Sequence, residues 1–331
     1  MIKGTFARAA LLAATVSGAA LLHPGQARAD EPACASLKAA GLLPDPSVIG
    51  QPLTRIRIID GTRRLIRAPE TLFDSAEFDL PAFGWNLPNV KLAESFEAAR
   101  SALPNLSTRE TTLDDLEIGT DSATLRLADG STIEADLVVG ADGKKSRVRE
   151  SAGFRARENG FTEAALVCDL NLERSIGGAS VEFHYEHGPF TLVPAGGNRA
   201  NLVWIDRRET LKSAQASGKE ALARLFADKS QHLFGAVELL TPAHMFPLST
   251  LTVDIAGKNG VVLVGEAAHA FPPIGAQGLN LGLRDVADLA DSLAGAELTR
   301  PGFARALSDV QAAEELNEAR AALFRRVPAR A

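Results

Sequence analysis

The feature that most constrains the fold is an apolar run that leads into a glycine- and proline-rich loop and then into a helix pattern. Val261–Val264 is uniformly apolar, as in a strand that is buried on both faces of a parallel sheet. A helix over 278–294 is predicted from apolar residues at helical spacing, namely Leu279, Leu283, Val286, Leu289 and Leu293. The pattern predicts one strand–loop–helix unit of an α/β domain.

The loop between this strand and this helix has the composition of a ligand site. Gly275 and Gly278 would let a flat ligand approach the main chain closely. The start of the helix offers unpaired N–H groups and partial positive charge to a phosphate or an anionic ring oxygen. Glu266, at the carboxyl end of the strand, can accept hydrogen bonds from sugar hydroxyls. The alternative is a loop that only joins strand to helix.

A second stretch, residues 136–149, repeats this design. Asp129-Gly130 just before it predicts a hairpin whose second strand, 132–137, runs on into Val138-Val139-Gly140. This apolar run ends in a turn of small residues that carries Asp142. Asp142 can hold a ribityl or water network, or it can cap the following helix together with Ser146. Basic residues follow and can attract phosphates or form a solvated face: Lys144, Lys145, Arg147 and Arg149.

Between these two stretches the sequence alternates with a period of two, which predicts antiparallel strands from about 164 to 206. The aromatic residues in this block have two readings, since they can line an apolar pocket or pack a core: Phe183, Tyr185, Phe190 and Trp204. Arg55–Ile58 predicts another strand, and Asp60-Gly61 supplies hairpin chemistry before Leu65-Ile66-Arg67. Parallel-type strands therefore bracket an antiparallel block. We expect the strand at 261–264 to lie parallel and adjacent to the strand at 136–140, with Asp142 and Glu266 opening onto one cleft.

Charge and cysteine content exclude several classes of protein. The formal net charge of the 331 residues is −6 and there is no long basic run, which argues against a nucleic-acid surface. Cys34 and Cys168 cannot form a disulfide framework, and neither has the spacing of a metal ligand. The apolar run Ala9–Leu22, after Lys3 and Arg8, has the outline of a secretory signal peptide, or it forms an alanine-rich helix.

Taken together, the two loop stretches resemble the second and third flavin fingerprints of the class A flavoprotein aromatic hydroxylases, and most closely the ubiquinone-biosynthesis hydroxylases of the UbiH/UbiF type. Asp142-Gly143 is similar to the family's Asp-Gly motif, with Ser146 and Arg149 at the expected offsets. Gly265 through Asp285 is similar to its Gly-Asp-Ala-Ala-His…Pro…Gly-Gln-Gly-x-Asn…Asp motif. The resemblance implies FAD binding and the hydroxylation of a phenolic ring with O₂.

The resemblance also implies the residues of the site. It assigns to the cofactor Asp142, Gly143, Arg149, Gly265, Glu266, Pro273, Gly275, Gln277, Gly278, Leu279 and Asn280. No side chain is assigned as catalytic and none as a metal ligand, because protein groups in this family mainly position the ring and exclude water. His269 is expected to be structural rather than a base.

The sequence departs from the family pattern in two places. Glu266 stands where the family has Asp, which keeps the charge and adds one methylene. Residues 1–45 carry no Gly-x-Gly-x-x-Gly motif for the ADP half of FAD, so weak FAD binding is expected. The predicted fold is an α/β protein with a Rossmann-like FAD-binding parallel sheet, incomplete at the N-terminus, and an inserted antiparallel α+β substrate domain.

The predicted domains follow from this fold. Residues 1–45 form an atypical N-terminal segment, 86–152 and 256–331 the FAD-binding domain, and 46–85 and 153–255 the substrate domain. The implied reaction is the FAD-dependent hydroxylation of a prenylated phenol, a ubiquinone precursor. NAD(P)H or another donor would supply electrons.

The implied partners are the hydrophobic phenolic substrate and a ubiquinone-biosynthesis complex or the periphery of the inner membrane. The expected location is the cytoplasm, with export as the alternative. The alternative function is a non-catalytic remnant of the family that binds a quinone precursor or a partner protein.

Overall fold

The computed structural model describes residues 14–17, 37–38, 40–120, 122–273 and 277–294. Most of the predicted N-terminal segment, Cys34, Gly275 and the chain after 294 therefore lie outside the described residues. The strands, in chain order, are β1 Ala14–Ser17, β2 Gln51–Leu53, β3 Arg55–Asp60, β4 Thr71–Asp74, β5 Gly84–Leu87, β6 Leu113–Ile118, β7 Ala123–Leu127, β8 Thr132–Ala135, β9 Val138–Gly140, β10 Ala156–Leu172, β11 Ala179–Tyr185, β12 Gly188–Pro194, β13 Arg199–Arg207, β14 Val237–Leu239, β15 His244–Val253, β16 Gly257–Lys258, β17 Val261–Leu263 and β18 His269–Ala270.

The helices are α1 Pro46–Ile49, α2 Asn89–Ser101, α3 Arg147–Ser151, α4 Arg208–Ala216, α5 Lys219–Lys229 and α6 Gln277–Ala294. Two short 3₁₀ turns, Ser75–Phe78 and Gly265–Ala267, follow strand ends. The helix predicted over 278–294 is confirmed to within one residue at its start. Chain contacts divide the protein into two compact units, and β10 and β15 run from one into the other. The functional domain boundaries given above stay a prediction.

Within the ranges that the structure describes, the first unit comprises residues 103–160 and 249–294. Its central feature is a parallel pair, in which Val261, Val262 and Leu263 of β17 lie opposite Val138, Val139 and Gly140 of β9. The three β17 residues are fully buried, as expected of a parallel strand covered on both faces. The sequence-based prediction that these two apolar runs pair in parallel is confirmed.

The first unit also holds an antiparallel sheet in the order β6-β7-β8. The predicted hairpin at Asp129-Gly130 joins β7 to β8, and Gly130 has a positive φ of 82° there. The sequence suggests that β8 runs on into β9. The two are separate strands instead, because the chain leaves the hairpin sheet after Ala135 and joins β17 from Val138.

The second unit comprises Ala10–Ala102 and Phe161–Leu248 among the ranges that the structure describes. Its large sheet runs in the order β10-β13-β12-β11-β3-β4, and β14 adds to β10. The β10–β13, β13–β12 and β12–β11 pairs are antiparallel, as the alternation predicts, whereas β11 runs parallel to β3. A smaller sheet in the same unit has the order β1-β5-β2.

The core of the second unit lies between one face of the large sheet and helices α4 and α5. Phe183, Phe190 and Trp204 are fully buried there with Phe226 of α5. Trp204 and Phe226 meet edge to face with ring centroids 6.2 Å apart. The predicted aromatic residues therefore pack a core and do not line an open pocket.

The connection between β3 and β4 differs from the expected tight hairpin. β3 ends at Asp60, but β4 begins only at Thr71, and the β3–β4 loop (residues 61–70) lies between them. Leu65-Ile66-Arg67 belongs to this loop and not to a strand. The carboxylate of Asp60 stabilises the loop, since it accepts hydrogen bonds from the backbone N–H groups of Thr62 and Ala68.

The aromatic core yields a stability prediction. Phe226→Ala should lower the free energy of unfolding by about 3–5 kcal/mol, because it removes a fully buried ring between Phe190 and Trp204. Val48→Ala, at a side chain that is 76% exposed, should change it by less than about 0.5 kcal/mol. Urea unfolding followed by circular dichroism measures both, and equal midpoints for the two variants would contradict this account of the core.

Candidate cofactor site

The two predicted ligand loops leave the same end of the parallel pair. β9 is followed by Ala141–Gly143 and β17 by the turn Gly265–Ala267. The N–H of Val264 donates to the carbonyl of Gly140 at 3.0 Å, so the strands are still in register where the loops begin. Ligands in open α/β sheets bind at the carboxyl ends of strands, which is where both loops lie. A shared cleft for Asp142 and Glu266 stays a prediction.

Asp142 acts as a cap for α3. Its Oδ2 accepts hydrogen bonds from the N–H groups of Arg147 at 2.7 Å and Val148 at 3.1 Å, and its Oδ1 accepts from the Ser146 hydroxyl. Ser146 is the N-cap residue and accepts from the Arg149 N–H at 2.9 Å. Of the two readings open at the sequence level, the structure shows the helix cap. Cofactor contacts for Asp142 and Gly143 stay predictions.

Arg149 joins the two loops through backbone carbonyls. Its guanidinium donates to the carbonyl of Ala267 at 2.9 Å and to that of Lys144 at 2.7 Å, and the residue is buried. Lys144 itself forms an ion pair of 2.6 Å with Glu158. These basic groups are therefore engaged by the protein, and a contact from Arg149 to the cofactor stays a prediction.

A buried carboxylate fixes the turn after β17. Oδ2 of Asp285, on α6, accepts a 2.7 Å hydrogen bond from the N–H of Gly265 and lies 2.7 Å from Nε2 of His269. A carboxylate is acceptor-only, so Nε2 of His269 carries the proton in this contact. Asp285 is fully buried, and His269 is nearly so. The expectation that His269 is structural agrees with this pairing.

Glycine is required at both sides of the contact between the turn and α6. Gly265 has a φ of +59°, in the left-handed region that favours glycine. A Cβ at Gly282 would lie only 3.2 Å from the Gly265 Cα, which is closer than ordinary van der Waals contact. The helix and the turn can therefore approach until Asp285 reaches the Gly265 N–H.

The remaining predicted site residues fall into two groups. Glu266 is exposed, and its carboxylate accepts no hydrogen bond and forms no ion pair within the part of the chain that the structure describes. Gly278, in the first turn of α6, is exposed, and a Cβ built on it would have no atom within 4 Å. Asn280 is buried, whereas Pro273 and Leu279 are half-buried. Gln277 begins α6, and Gly275 lies outside the described residues.

These residues fit an anionic, hydroxyl-bearing cofactor such as FAD. The fit rests on three observations: the open space over Gly278, the helix start beside it, and the exposed Glu266 carboxylate at the strand end. A helix N-terminus favours negative charge, and a carboxylate accepts hydrogen bonds from hydroxyl groups. Loops joined by Arg149 and Asp285 would present these groups without rearrangement.

Comparison with known proteins decides the family. Residues 87–302 match the family model described as "FAD binding domain". The chain belongs to this FAD-binding family. FAD is therefore its cofactor, as the two loop stretches predicted, and the match spans both loops and the whole of α6.

Two of the relatives that the chain matches are named as hydroxylases of ubiquinone compounds. The chain is 35% identical over 252 residues to the ubiquinone hydroxylase UbiL of Rhodospirillum rubrum, covering 75% of this chain and 57% of that protein. It is 32% identical over 228 residues to the 3-demethoxyubiquinol 3-hydroxylase of Escherichia coli, covering 68% and 58%. The chain spans less than two thirds of the length of either relative. The recognised resemblance to ubiquinone-biosynthesis hydroxylases is confirmed.

The fold class is confirmed by solved structures. PqsL, a probable FAD-dependent monooxygenase from Pseudomonas aeruginosa, superposes with a TM-score of 0.70 at 23% identity, covering 86% of this chain and 79% of that one. At this identity the likeness concerns the fold alone. It supports an α/β architecture with an additional antiparallel sheet.

One structural residue of this FAD-binding protein, Asp285, was not predicted as a site residue. The role of Asp285 as an anchor for the Gly265 turn depends on a contact between residues 20 positions apart. A signal was available in the sequence, since Asp285 interrupts the apolar pattern of α6 between Leu281 and Leu289, both of which are buried. A charged residue in such a position needs a buried partner.

The Asp285 anchor can be tested by substitution. Asp285→Ala should lower the free energy of unfolding by roughly 1.5–3 kcal/mol, because the Gly265 N–H and His269 lose a charged acceptor. Asp291→Ala, at an exposed position on the same helix, should change it by less than about 0.5 kcal/mol. Thermal and urea unfolding measure the difference. Indistinguishable stabilities would show that the network does not hold the turn.

Proposed function

We propose that this protein is an FAD-dependent monooxygenase that hydroxylates the aromatic ring of a prenylated phenol, a ubiquinone precursor, with O₂. The observation that carries the proposal is the pair of joined loops at the carboxyl ends of β9 and β17, in a chain of the FAD-binding family. The names of the relatives, a ubiquinone hydroxylase and a 3-demethoxyubiquinol 3-hydroxylase, support the substrate class.

The chemistry divides between cofactor and chain. FAD, when bound, supplies the reduction of O₂ and the transfer of one oxygen atom to the ring. The chain would bind and orient it: Glu266 accepts hydrogen bonds from hydroxyl groups, and the start of α6 at Gln277 and Gly278 places partial positive charge beside an anionic group. Gly265, fixed by Asp285, keeps the Glu266 backbone in place.

No side chain of the described network is assigned a proton-transfer role. Nε2 of His269 is held by Asp285, and both residues are buried, so the pair maintains the turn. We infer that the protein accelerates the reaction by binding and by excluding water. The substrate domain would then be residues 46–85 and 153–255, and the FAD-binding domain 86–152 and 256–331.

The remaining assignments are also our proposals. NAD(P)H or another donor supplies electrons, and the hydrophobic substrate brings the protein to a ubiquinone-biosynthesis complex or to the periphery of the inner membrane, on its cytoplasmic side. Among the residues that the structure describes, no helix is long and apolar enough to cross a bilayer.

Cofactor binding provides the first test. Gly278→Asp should weaken FAD binding at least about tenfold, because it adds a negative side chain where the helix start favours an anion. The matched control is Gly160→Asp, since Gly160 is also exposed and a Cβ there also has no atom within 4 Å. Quenching of flavin fluorescence on titration measures both affinities. Equal affinities for the two variants would exclude the Gly278 loop from the site.

The reaction provides the second test. The full chain loaded with FAD and supplied with NAD(P)H should add one oxygen atom to 2-prenylphenol, and the added atom should carry the label from ¹⁸O₂. Mass spectrometry of the product measures both. Bound FAD that is reduced by the donor and reoxidised by air, with no labelled oxygen in the phenol, would contradict the monooxygenase proposal and favour a non-catalytic binding protein.

A further inference from the structure

The β3–β4 loop presents two large apolar side chains entirely to solvent. Leu65 is 101% exposed and Ile66 is 87% exposed, the two highest values among the exposed large hydrophobic residues of the described chain. Single exposed apolar residues are normal on protein surfaces. Two adjacent aliphatic residues in the middle of the loop, here called its tip, form an apolar pair that the described part of the chain leaves uncovered.

Hydrogen bonds and an ion pair fix the two ends of the loop. Oδ1 and Oδ2 of Asp60 accept hydrogen bonds of 2.9 Å from the N–H groups of Thr62 and Ala68, which closes the base of the loop. Beside it, Arg57 of β3 forms a bidentate ion pair with Glu70. The Nε–Oε1 distance is 2.6 Å and the Nη2–Oε2 distance is 2.8 Å. Hydrogen bonds from Thr62 and from the Ala68 backbone lower the pKa of Asp60 to about 2. The carboxylate is therefore charged at neutral pH, and its contacts continue to close the loop.

The charge around the apolar tip is positive. Arg63, Arg64 and Arg67 flank Leu65 and Ile66, and all three are exposed. The nearest acidic residues in sequence, Asp60 and Glu70, are engaged at the base of the loop. This local basic character contrasts with the formal net charge of −6 for the whole chain. The loop therefore combines two aliphatic side chains with three arginines that flank them in sequence.

We propose that the β3–β4 loop docks this protein on an anionic lipid bilayer, with Leu65 and Ile66 entering the acyl boundary and the arginines binding headgroup phosphates. Apolar side chains flanked by Arg and Lys are favoured at such a surface, which carries negative potential. The proposal gives a residue-level basis to the membrane contact proposed above and depends on neither FAD nor turnover.

The shape of the tip favours a bilayer over a protein partner. A stable protein interface buries about 800 Å² on each partner. Two exposed aliphatic side chains present far less apolar area than that, and a fluid surface accepts them without a complementary shape. Guanidinium groups bind phosphate through paired hydrogen bonds, and phosphates are what such a surface supplies.

Vesicle flotation tests the apolar contribution. The full chain should float with vesicles of phosphatidylcholine and phosphatidylglycerol, and Leu65→Ser/Ile66→Ser should bind them at least about tenfold more weakly. The control is Val48→Ser/Val90→Ser, which removes apolar side chains that are 76% and 67% exposed elsewhere in the same unit. The control should bind like the parent chain. Unchanged melting temperatures confirm that the variants are folded.

The charge contribution has its own matched pair. Arg63→Gln/Arg64→Gln/Arg67→Gln should bind anionic vesicles at least about tenfold more weakly, and binding of the parent chain should fall as salt rises. Lys212→Gln/Lys219→Gln/Arg224→Gln makes the same change in net charge at exposed positions on α4 and α5. That control should retain most of the binding, because its charges lie outside the loop.

Insertion has a spectroscopic signature that a purely structural role would not produce. Tryptophan emission of Ile66→Trp should shift to shorter wavelength on addition of anionic vesicles and be quenched by brominated lipids. Equal binding to vesicles of phosphatidylcholine alone, equal losses in loop and control variants, or emission unchanged by vesicles would each overturn the proposal. So would a loop-dependent dimer, or loop-dependent capture of a protein of the biosynthetic complex without lipid. Every readout is independent of flavin, so failure here is distinct from failure of the hydroxylase proposal.

Discussion

A single buried carboxylate connects the secondary structure of the first unit to its cofactor loop. Asp285 is fully buried, and such a charge is tolerated only when it is paired and hydrogen-bonded. Its partners, the N–H of Gly265 and Nε2 of His269, both lie on the chain that follows β17. The carboxylate therefore sets the distance between α6 and the strand end. The positions of Glu266 and of the helix start at Gln277 follow from that distance, because Glu266 adjoins Gly265 and Gln277 lies on the same helix as Asp285.

The parts of the fold that could be predicted are those written in local patterns. A parallel strand buried on both faces has to be continuously apolar, so 261–263 was recognisable from composition alone. The apolar run at 138–140 forms its parallel partner, although the Val139 side chain there is 43% exposed. The spacing of Leu279, Leu283 and Leu289 gives α6 in the same way, and Asp129-Gly130 gives the β7–β8 hairpin. The alternation of aromatic residues predicts strands, but it does not show whether the face that carries them lines a pocket or packs a core. Helices α4 and α5 decide that question, since they cover the side that carries Trp204 and Phe183.

The parts that could not be predicted depend on contacts that sequence spacing does not encode. From the sequence alone, the basic residues after Asp142 fit a phosphate site as well as they fit a solvated face. In the fold, the guanidinium of Arg149 donates hydrogen bonds to the carbonyls of Ala267 and Lys144. Lys144 forms an ion pair with Glu158. Asp60-Gly61 reads as a tight turn, but Asp60 bonds to Thr62 and Ala68 and stabilises a wider loop. In each case a side chain satisfies backbone groups, which a residue pattern cannot specify.

The same contacts explain which predicted site residues remain available to a ligand. Asp142 and Arg149 both satisfy backbone groups of the two loops, so their charge contributes to holding the loops together. Within the described chain, Glu266 and Gly278 do not satisfy backbone groups of the loops in this way, and both are exposed. A site that is rigid before binding loses less conformational entropy when the ligand arrives. The division of the motif residues into anchors and open groups is therefore itself an argument for a binding site, since a loop that only joins a strand to a helix has no need of both.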